Sequence, residues 1–311
     1  MPDGDQVAAE VRRMRLCLGT VQFGGDYGIR GGRKPSVADA VRMLDYAVRN
    51  GVDAIDTAAA YGSAEEVVGE FLGRRTVPRD RLLVVSKFGT DVFEGVAPGA
   101  WGEALVAALA RSLRRLKTDY LDAYVCHVAT AVSNAAVCEA MAKARESGLV
   151  RRVGFSVYET DEAKSCAANG VCDFMQVPFS VLDQRMATDG ALSAAAATGM
   201  TVHARSAFVQ GLALMEENEV PERLAAARPL VRRFGELCAA AGVSRRTLAL
   251  AFVRRRREIS HLVFGVDNLE QLKENIAAFA EAVPEDALGE AERIFHDVDS
   301  DLVMPNKWRK G

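Results

Sequence analysis

Short apolar runs typical of buried strands alternate with longer helical stretches along nearly the whole chain. There are eight such runs, and each is followed by a segment whose apolar residues recur at helical spacing. The eight runs are LCLGTVQF, VDAIDTA, LLVVSKFG, YLDAYVCHV, RRVGFSVY, DFMQVPF, MTVHARSAF and HLVFGV. Near-continuous apolar strands joined by helical crossovers predict a parallel sheet that is buried on both faces.

Some helical segments also carry start and stop signals. In SVADAVRMLDYAVRNG the apolar residues recur every three or four positions, and Gly51 is placed to cap the C-terminus. In SAEEVVGEFLG, Ser63 and Glu66 have capping-box spacing. DQRMATDGALSAAAATG and the region from about Pro221 to Arg257 are also expected to be helical.

Eight βα units in 311 residues predict a (β/α)8 TIM barrel, a single α/β domain with extra C-terminal helices. We place an N-terminal extension at 1–13, the barrel at 14–300 and a C-terminal tail at 301–311. The alternative fold is a doubly wound open sheet, which normally has fewer strands and a Gly-rich turn after the first one. LGTVQFGG contains no G-x-G-x-x-G, so the barrel is favoured.

Composition and charge restrict the partners. Hydrophobic residues make up 49% and charged residues 26%, as in folded globular proteins, and the formal net charge is -3. We therefore expect no general attraction to nucleic acid or anionic membranes, and no apolar window is long enough to span a bilayer. The basic run Arg254 to Arg257 ends a predicted helix, where a solvated basic face is the ordinary interpretation.

The six cysteines are scattered, with no C-x-x-C pair and no metal-type cluster with histidine. Reduced thiols in a cytoplasmic protein are expected, with no metal site. The N-terminal segment has acids and arginines where a signal peptide needs an apolar core, which agrees with this location.

Four ionisable residues stand at or just after the ends of successive predicted strands. Asp56 closes the second strand and Tyr61 follows in its loop, while Lys87 and His127 close the third and fourth strands. In a barrel of this type, the active site lies where the strands end and the βα loops begin. These four side chains are therefore expected to converge on one pocket.

The chemistry that this group supports is proton transfer to a carbonyl oxygen. A free tyrosine has a pKa near 10, and a nearby ammonium such as that of Lys87 lowers it by favouring phenolate. Asp56 would hold the lysine, and His127 would donate a hydrogen bond that polarises the carbonyl. No residue of the group is a strong nucleophile, so a nicotinamide cofactor is the natural hydride donor.

The segments LGTVQFGGDYG, IDTAAAYGSAEEVVGEFL, SKFG, DYLDAYVCH, VGFSVY and FGVDNLEQLKENI, in this order, resemble the aldo-keto reductase superfamily. The resemblance runs from about Leu16 to about Ala282. It implies a (β/α)8 barrel and an NADP(H) or NAD(H) cofactor bound without a Rossmann domain. It also implies a small-molecule carbonyl substrate, for which a sugar or sugar derivative is the first expectation, and a catalytic tetrad of the same four residues.

The resemblance further implies a cofactor site across the later strands. Ser156 and Gln176 match carboxamide-binding residues, although the asparagine usual after the serine is Val157 here. The usual stacking aromatic is absent from its commonest place in HARSAF, and GLALM resembles the pyrophosphate loop. The implied cofactor contacts are Gly19, Thr20, Ser156, Gln176, Arg205, Ser206, Phe208, Gly211, Leu212, Gly265, Val266, Asp267, Gln271, Glu274 and Asn275.

Asp267 indicates which dinucleotide is used. Where this superfamily binds NADP(H), a polar or basic residue often stands at that position near the 2′-phosphate. An aspartate repels a phosphate, whereas a free ribose hydroxyl can donate to it. We therefore hypothesise that NADH is used at least as well as NADPH.

Substrate contacts are harder to assign. Phe23, Tyr27, Phe88 and Tyr158 fall near strand ends and either wall the pocket or pack ordinarily, and Arg185 either faces the substrate or caps a helix. The first βα loop contains a second basic group, which either grips an anionic substrate such as a sugar phosphate or is simply solvated. Its members are Arg30, Arg33 and Lys34.

Two other functions are compatible with a barrel. One is a catalytically silent dinucleotide-binding regulatory protein, against which the intact tetrad argues. The other is a metal-dependent hydrolase or isomerase, which needs clustered ligands at the strand ends. Only four histidines are present, and only His127 and His203 are predicted on strands near the barrel mouth. No pattern indicates the oligomeric state.

Overall fold

The computed structural model describes residues 14–29 and 31–308. The predicted N-terminal extension, Arg30 and the last three residues of the predicted tail lie outside the described residues. Eight parallel strands form a closed barrel in chain order, which confirms the predicted (β/α)8 fold. The strands are β1 Arg15–Gly19, β2 Val52–Asp56, β3 Leu83–Phe88, β4 Leu121–Cys126, β5 Val150–Ser156, β6 Phe174–Pro178, β7 Thr201–Arg205 and β8 His261–Gly265.

Helices follow each strand and surround the barrel, and further ones come after the last strand. They are α1 Val21–Gly24, α2 Val37–Arg49, α3 Ala64–Gly73, α4 Trp101–Leu116, α5 Ala135–Glu146, α6 Thr160–Ala168, α7 Arg185–Thr188, α8 Ala191–Ala197, α9 Arg228–Ala241, α10 Arg245–Arg254, α11 Leu269–Ala280, α12 Glu285–Ile294 and α13 Ser300–Val303. Short 3-10 turns lie at Arg79–Arg81, Thr90–Phe93, Pro98–Ala100, Ala129–Ser133, Val209–Leu214, Glu217–Glu219 and Glu222–Ala227. No helix within the described ranges is long and apolar enough to cross a membrane.

Gly51 ends α2 as predicted, because it follows the C-cap residue Asn50 with a φ of +89°, in the left-handed region that favours glycine. Two other details at the helix ends differ from the predictions. The capping box before α3 is wrong, because Ser63 has φ -91° and ψ 16°, not the extended backbone of an N-cap, and its side chain caps nothing. Gly190, with φ +78°, divides the predicted helix after the sixth strand into α7 and α8.

The apolar core has two parts. A large layer lies between the strands and the surrounding helices, and smaller clusters fill the barrel interior. His203 points into this interior beside the first residues of β6 and β8, with ring centroids 4.6 Å from Phe174 and 4.4 Å from His261. It therefore lies toward the N-terminal ends of the strands, and its predicted place near the mouth is wrong. Burial lowers the pKa of His203 well below its ordinary value.

Three of the four arginines in the basic run at the end of α10 do not form a solvated face, whereas Arg257 is exposed. Arg255 and Arg256 are partly buried and pair with Glu292 on α12, at 3.4 and 2.5 Å. Arg254 donates to the carbonyls of Phe279 and Glu281 at the end of α11. These arginines join three helices, so their charges are used within the fold.

Candidate active site

A cavity of about 380 Å³ opens at the C-terminal ends of the strands. The last residues of five strands contribute to its wall: Gly19, Asp56, Ser156, Arg205 and Gly265. The location follows from the fold, because all parallel strands end at the same edge of the barrel and their following loops surround it.

Asp56 and Lys87 form a buried ion pair below the cavity. Lys87 Nζ lies 2.5 Å from Asp56 Oδ1 and donates to the carbonyl of Thr57 at 3.0 Å. The second carboxylate oxygen of Asp56 accepts a hydrogen bond from Gln176 Nε2 at 2.8 Å. The lysine and the aspartate are therefore both held in one position.

Tyr61 is brought to this pair by a tight turn after β2. Its backbone N–H donates to the Ala58 carbonyl at 3.0 Å, and the following Gly62 has a φ of +55°. A Cβ on Gly62 would lie 2.4 Å from the Gly24 carbonyl oxygen, so the turn packs directly on α1. This packing places the Tyr61 hydroxyl 3.5 Å from Lys87 Nζ.

The charges of this group differ in one respect from the expectation. Burial raises the pKa of Tyr61 and outweighs the opposing effect of Lys87, so the net shift is upward and not downward. Burial alone would lower the pKa of Lys87, but the Asp56 carboxylate and Tyr61 raise it above its ordinary value. At neutral pH the phenol therefore carries its proton beside a charged ammonium.

His127 faces Tyr61 from the end of β4. The two ring centroids lie 5.7 Å apart in an edge-on arrangement, and the backbone N–H of His127 donates to the Phe88 carbonyl at 2.8 Å. Burial, with the positive charges of Lys87 and Arg205, lowers the pKa of His127 to about 3. The imidazole is therefore neutral at physiological pH and has one N–H to donate.

Most of the residues predicted to hold the cofactor also line the cavity. Those that do are Gly19, Thr20, Ser156, Gln176, Arg205, Ser206, Phe208, Gly211, Gly265, Asp267, Gln271 and Asn275. Three predicted contacts do not reach it. Leu212 and Val266 are buried in the core, and Glu274 pairs with Arg246 at 2.7 Å.

The predicted substrate residues divide in the same way. Tyr27 and Tyr158 line the cavity. Phe88 does not, because neighbouring residues of a strand face opposite sides and Lys87 points inward; Phe88 packs on Tyr124 outside the barrel. Phe23 is fully buried.

The predicted basic contacts also lie elsewhere. Arg185 forms a two-pronged pair with Asp183, each bond 2.9 Å, so its side chain is held away from the cavity. In the first βα loop, Lys34 Nζ donates to Ser63 Oγ at 2.6 Å. Neither Lys34 nor Arg33 lines the cavity wall.

Several cavity residues were not predicted from the sequence. Arg246, in the first turn of α10, reaches the wall near Gln271 and Asn275. Gln22 and Gly32 come from the segment after β1. A glutamine and a glycine in a loop, or an arginine on a helix, carry no sequence signal that would distinguish them from ordinary surface residues.

The cavity wall carries polar groups that suit a dinucleotide. Ser156 and Gln176 are paired on neighbouring strands beside Asp56, and Asp267 and Gln271 follow β8. Several glycines also line the cavity. A Cβ on Gly265 would lie 2.5 Å from the Gln22 amide, so a larger residue at position 265 would clash with Gln22 in the cavity wall. Gln22 Oε1 is buried and has no hydrogen-bond partner among the described residues.

No three His, Cys, Asp or Glu side chains in the described part of the chain gather as a metal ion would need. The barrel, the buried lysine beside a protonated phenol and the glycine-lined cavity define an NAD(P)(H)-dependent oxidoreductase. The chain belongs to the aldo/keto reductase family, whose family model matches residues 15–295.

Two curated relatives cover most of the chain. The NADH-specific methylglyoxal reductase of Escherichia coli is 24% identical over 304 aligned residues, covering 86% of this chain and 90% of the relative. The L-galactose dehydrogenase of Arabidopsis thaliana is 26% identical over 291 aligned residues, with 86% and 87% covered.

Two solved structures have the same fold. An aldo-keto reductase from Bacillus halodurans, solved in its holo form, has a TM-score of 0.74 at 20% identity, with 94% of this chain and 95% of that chain covered. An aldo/keto reductase from Klebsiella pneumoniae, in complex with NADP and acetate, has a TM-score of 0.67 at 24% identity, with 90% and 91% covered.

Proposed function

We propose that this reductase converts an aldehyde or ketone, with a sugar or sugar derivative as the first candidate, into an alcohol, and that Tyr61 supplies the proton. Bound NAD(P)H supplies the hydride from C4 of its nicotinamide ring. The observation that carries the proposal is the 3.5 Å contact between the Tyr61 hydroxyl and Lys87 Nζ, at the end of a lysine that Asp56 holds.

The roles of the four residues follow from their charges. Tyr61 is protonated before the reaction and donates to the carbonyl oxygen as that oxygen gains negative charge. The ammonium of Lys87 stabilises the phenolate that remains, because an opposite charge within about 4–6 Å favours an ionised group. Asp56 keeps the ammonium in place, and neutral His127 donates a hydrogen bond that orients the carbonyl.

We infer that the cofactor is held with its nicotinamide near Ser156 and Gln176. Gln176 Nε2 is engaged with Asp56, so its Oε1 is the atom available to a carboxamide N–H. The adenosine would then lie near Asp267 and Gln271, where an aspartate disfavours a 2′-phosphate. We therefore propose that NADH is used at least as well as NADPH. The Escherichia coli relative, named as NADH-specific, supports this preference.

Polar groups at the mouth and a relative named for L-galactose support a small hydroxylated substrate. The six free cysteines suit the reducing cytoplasm that we propose as the location. We also keep the barrel at 14–300 as the proposed domain, between a short extension and a tail.

The experiment is a panel of aldoses, keto sugars, sugar phosphates, nucleotide sugars, uronates and 2-oxo acids, followed by NAD(P)H absorbance. We expect saturable oxidation of NADH with at least one class. Tight NADH binding without turnover of any carbonyl would contradict the proposal and would favour a silent regulatory protein. A preference above about tenfold for NADPH in kcat/KM, or 1.4 kcal/mol, would overturn the cofactor preference.

A further inference from the structure

Arg205 is fixed at the mouth of the cavity by contacts that leave part of its guanidinium free. It is the last residue of β7, and its Cζ lies 4.2 Å above the ring of Tyr158. One Nη donates to the Val157 carbonyl at 2.8 Å and the other to Ser206 Oγ at 3.4 Å. Because a guanidinium has five N–H donors in a planar fork, donors remain available to a ligand.

The charge of Arg205 is not balanced by a carboxylate. Of the ion pairs formed among residues 14–29 and 31–308, none includes Arg205. The carboxylates of the same wall are already engaged, Asp56 by Lys87 at 2.5 Å and Asp267 by Gln271 at 3.3 Å. Since Asp56 and Lys87 cancel and His127 is neutral, the reacting end of the cavity carries one net positive charge.

The position of this charge favours the substrate over the cofactor phosphates. Arg205 contributes, after burial and Lys87, to the lowered pKa of His127, and its charge also acts on Tyr61. These are the groups that flank the reacting carbonyl. Asp267, where we propose that the adenosine lies, follows β8 and is not among the charges that act on His127 and Tyr61. A phosphate bridge in the middle of the dinucleotide is the other possible source of an anion.

We propose that Arg205 binds the carboxylate of an anionic carbonyl substrate, such as a 2-oxo acid or a uronate. A carboxylate matches the planar fork of a guanidinium and would balance its charge in a partly buried site. The inference rests on the proposed reductase function and names the substrate class for it. The inference assigns Arg205 to the binding of the substrate carboxylate. The basic loop after β1, with Arg33 and Lys34, takes no part in that binding.

The test uses two matched substrate pairs with NADH: pyruvate against pyruvamide, and D-glucuronate against D-glucose. Each pair changes the charge and keeps the carbonyl. For each pair, we compare kcat/KM for the anionic substrate with kcat/KM for the neutral one. In Arg205→Gln we expect this ratio to fall about 100-fold in at least one pair, which is the usual cost of removing one partner of a buried charge pair. Arg205→Lys keeps the charge but loses the planar fork and the stacking on Tyr158, so its ratio should lie between those of wild type and Arg205→Gln.

A second measurement needs no turnover. Calorimetry of the NADH-saturated enzyme with oxamate and with L-gulonate, the alcohol formed from glucuronate, should give a Kd about 100-fold weaker in Arg205→Gln for at least one of them. If this difference appears while wild type reduces no carbonyl, the proposed function fails and the assignment of Arg205 stands.

Two results would overturn the assignment. One is an unchanged ratio in both substrate pairs, with equal affinity for both carboxylates. The other is an equal fall for anionic and neutral substrates together with weaker NADH binding, which would assign Arg205 to the dinucleotide. Thermal unfolding of each variant checks that the barrel remains intact.

Discussion

Lys87 Nζ lies 2.5 Å from Asp56 Oδ1 in the interior of the barrel, where both side chains are almost completely buried. Transferring two charges from water to such a place is costly, and their attraction offsets the cost only while both are present. The Asp56–Lys87 pair therefore serves to position an ammonium beside Tyr61, and it is not a source of stability.

Removing one partner should expose that cost. In Asp56→Asn the buried ammonium loses its counter-charge, so we expect the free energy of unfolding to fall by about 3–5 kcal/mol. Urea unfolding followed by circular dichroism measures this. The matched control is Asp45→Asn, which breaks the exposed pair with Arg49 and should change stability by less than about 0.5 kcal/mol. Equal small effects in both variants would contradict the argument.

The proton donor is tested by Tyr61→Phe, which removes the hydroxyl and little volume. Carbonyl reduction should fall at least about 100-fold in kcat, the usual effect of losing a general acid. The Kd of NADH, measured by fluorescence, should remain within about threefold because the ring stays in place. Full turnover in this variant would exclude Tyr61 as the donor.

Tyr124→Phe makes the same chemical change outside the cavity. The Tyr124 ring packs against Phe88 between the barrel and its helices. We expect activity within about threefold of wild type and a loss of about 1 kcal/mol in stability, because the Tyr124 hydroxyl loses its hydrogen bond with Ser112. A loss of activity as large as that of Tyr61→Phe would show that the effect is not specific to the mouth of the barrel.

His127 predicts an acid dependence of stability. Its pKa is lowered to about 3 in the folded protein, whereas an unfolded imidazole takes up a proton near pH 6.5. Between these values the unfolded state binds more protons, so stability falls as the pH is lowered through this window. Between pH 6 and 4, the slope of unfolding free energy against pH should be steeper in wild type than in His127→Gln, by up to about 1.4 kcal/mol per unit.

The exposed His296 provides the control for this measurement. Substitution His296→Gln removes a histidine from the surface and should leave the slope close to the wild-type value. If His127→Gln has the wild-type slope as well, the imidazole at the mouth becomes protonated in the folded state. The charge of His127 would then change with the assay pH near 6.5, and burial would not keep it a neutral donor.

The barrel and its catalytic end were predictable because both depend on local patterns. Eight apolar runs separated by helices define the strands, and polar residues at the ends of such runs must meet at one edge. Of the two interpretations of Phe88, packing outside the barrel is the one that the structure has, and the two-residue period of a strand already indicates it, since Lys87 beside it points inward.

The place of Arg246 in the cavity wall and the contact of Gly24 with the Tyr61 turn could not be predicted from local patterns. Arg246 enters the wall from a helix far along the chain, and nothing in its neighbours indicates that its side chain reaches the mouth. The contact of Gly24 with the Tyr61 turn depends on the approach of two backbone segments. Sequence patterns report on periodicity and burial, but not on how loops from different βα units meet.

The far end of the cavity gives the last prediction. The Asp267 backbone N–H donates to Gln271 Oε1 at 2.9 Å, which orients the aspartate at the position expected for the adenosine ribose. Asp267→Asn removes the negative charge and keeps the shape. We expect kcat/KM for NADPH to rise at least about tenfold, since repulsion of the 2′-phosphate is lost, while the value for NADH changes by less than about threefold.

The control is the exposed change Asp80→Asn, at the opposite end of the barrel, which should alter kcat/KM for neither dinucleotide. An equal change for both dinucleotides in Asp267→Asn would mean that Asp267 does not distinguish a phosphate from a hydroxyl, and that Arg246, whose guanidinium pairs with Glu274 at 2.7 Å, is the group to change next.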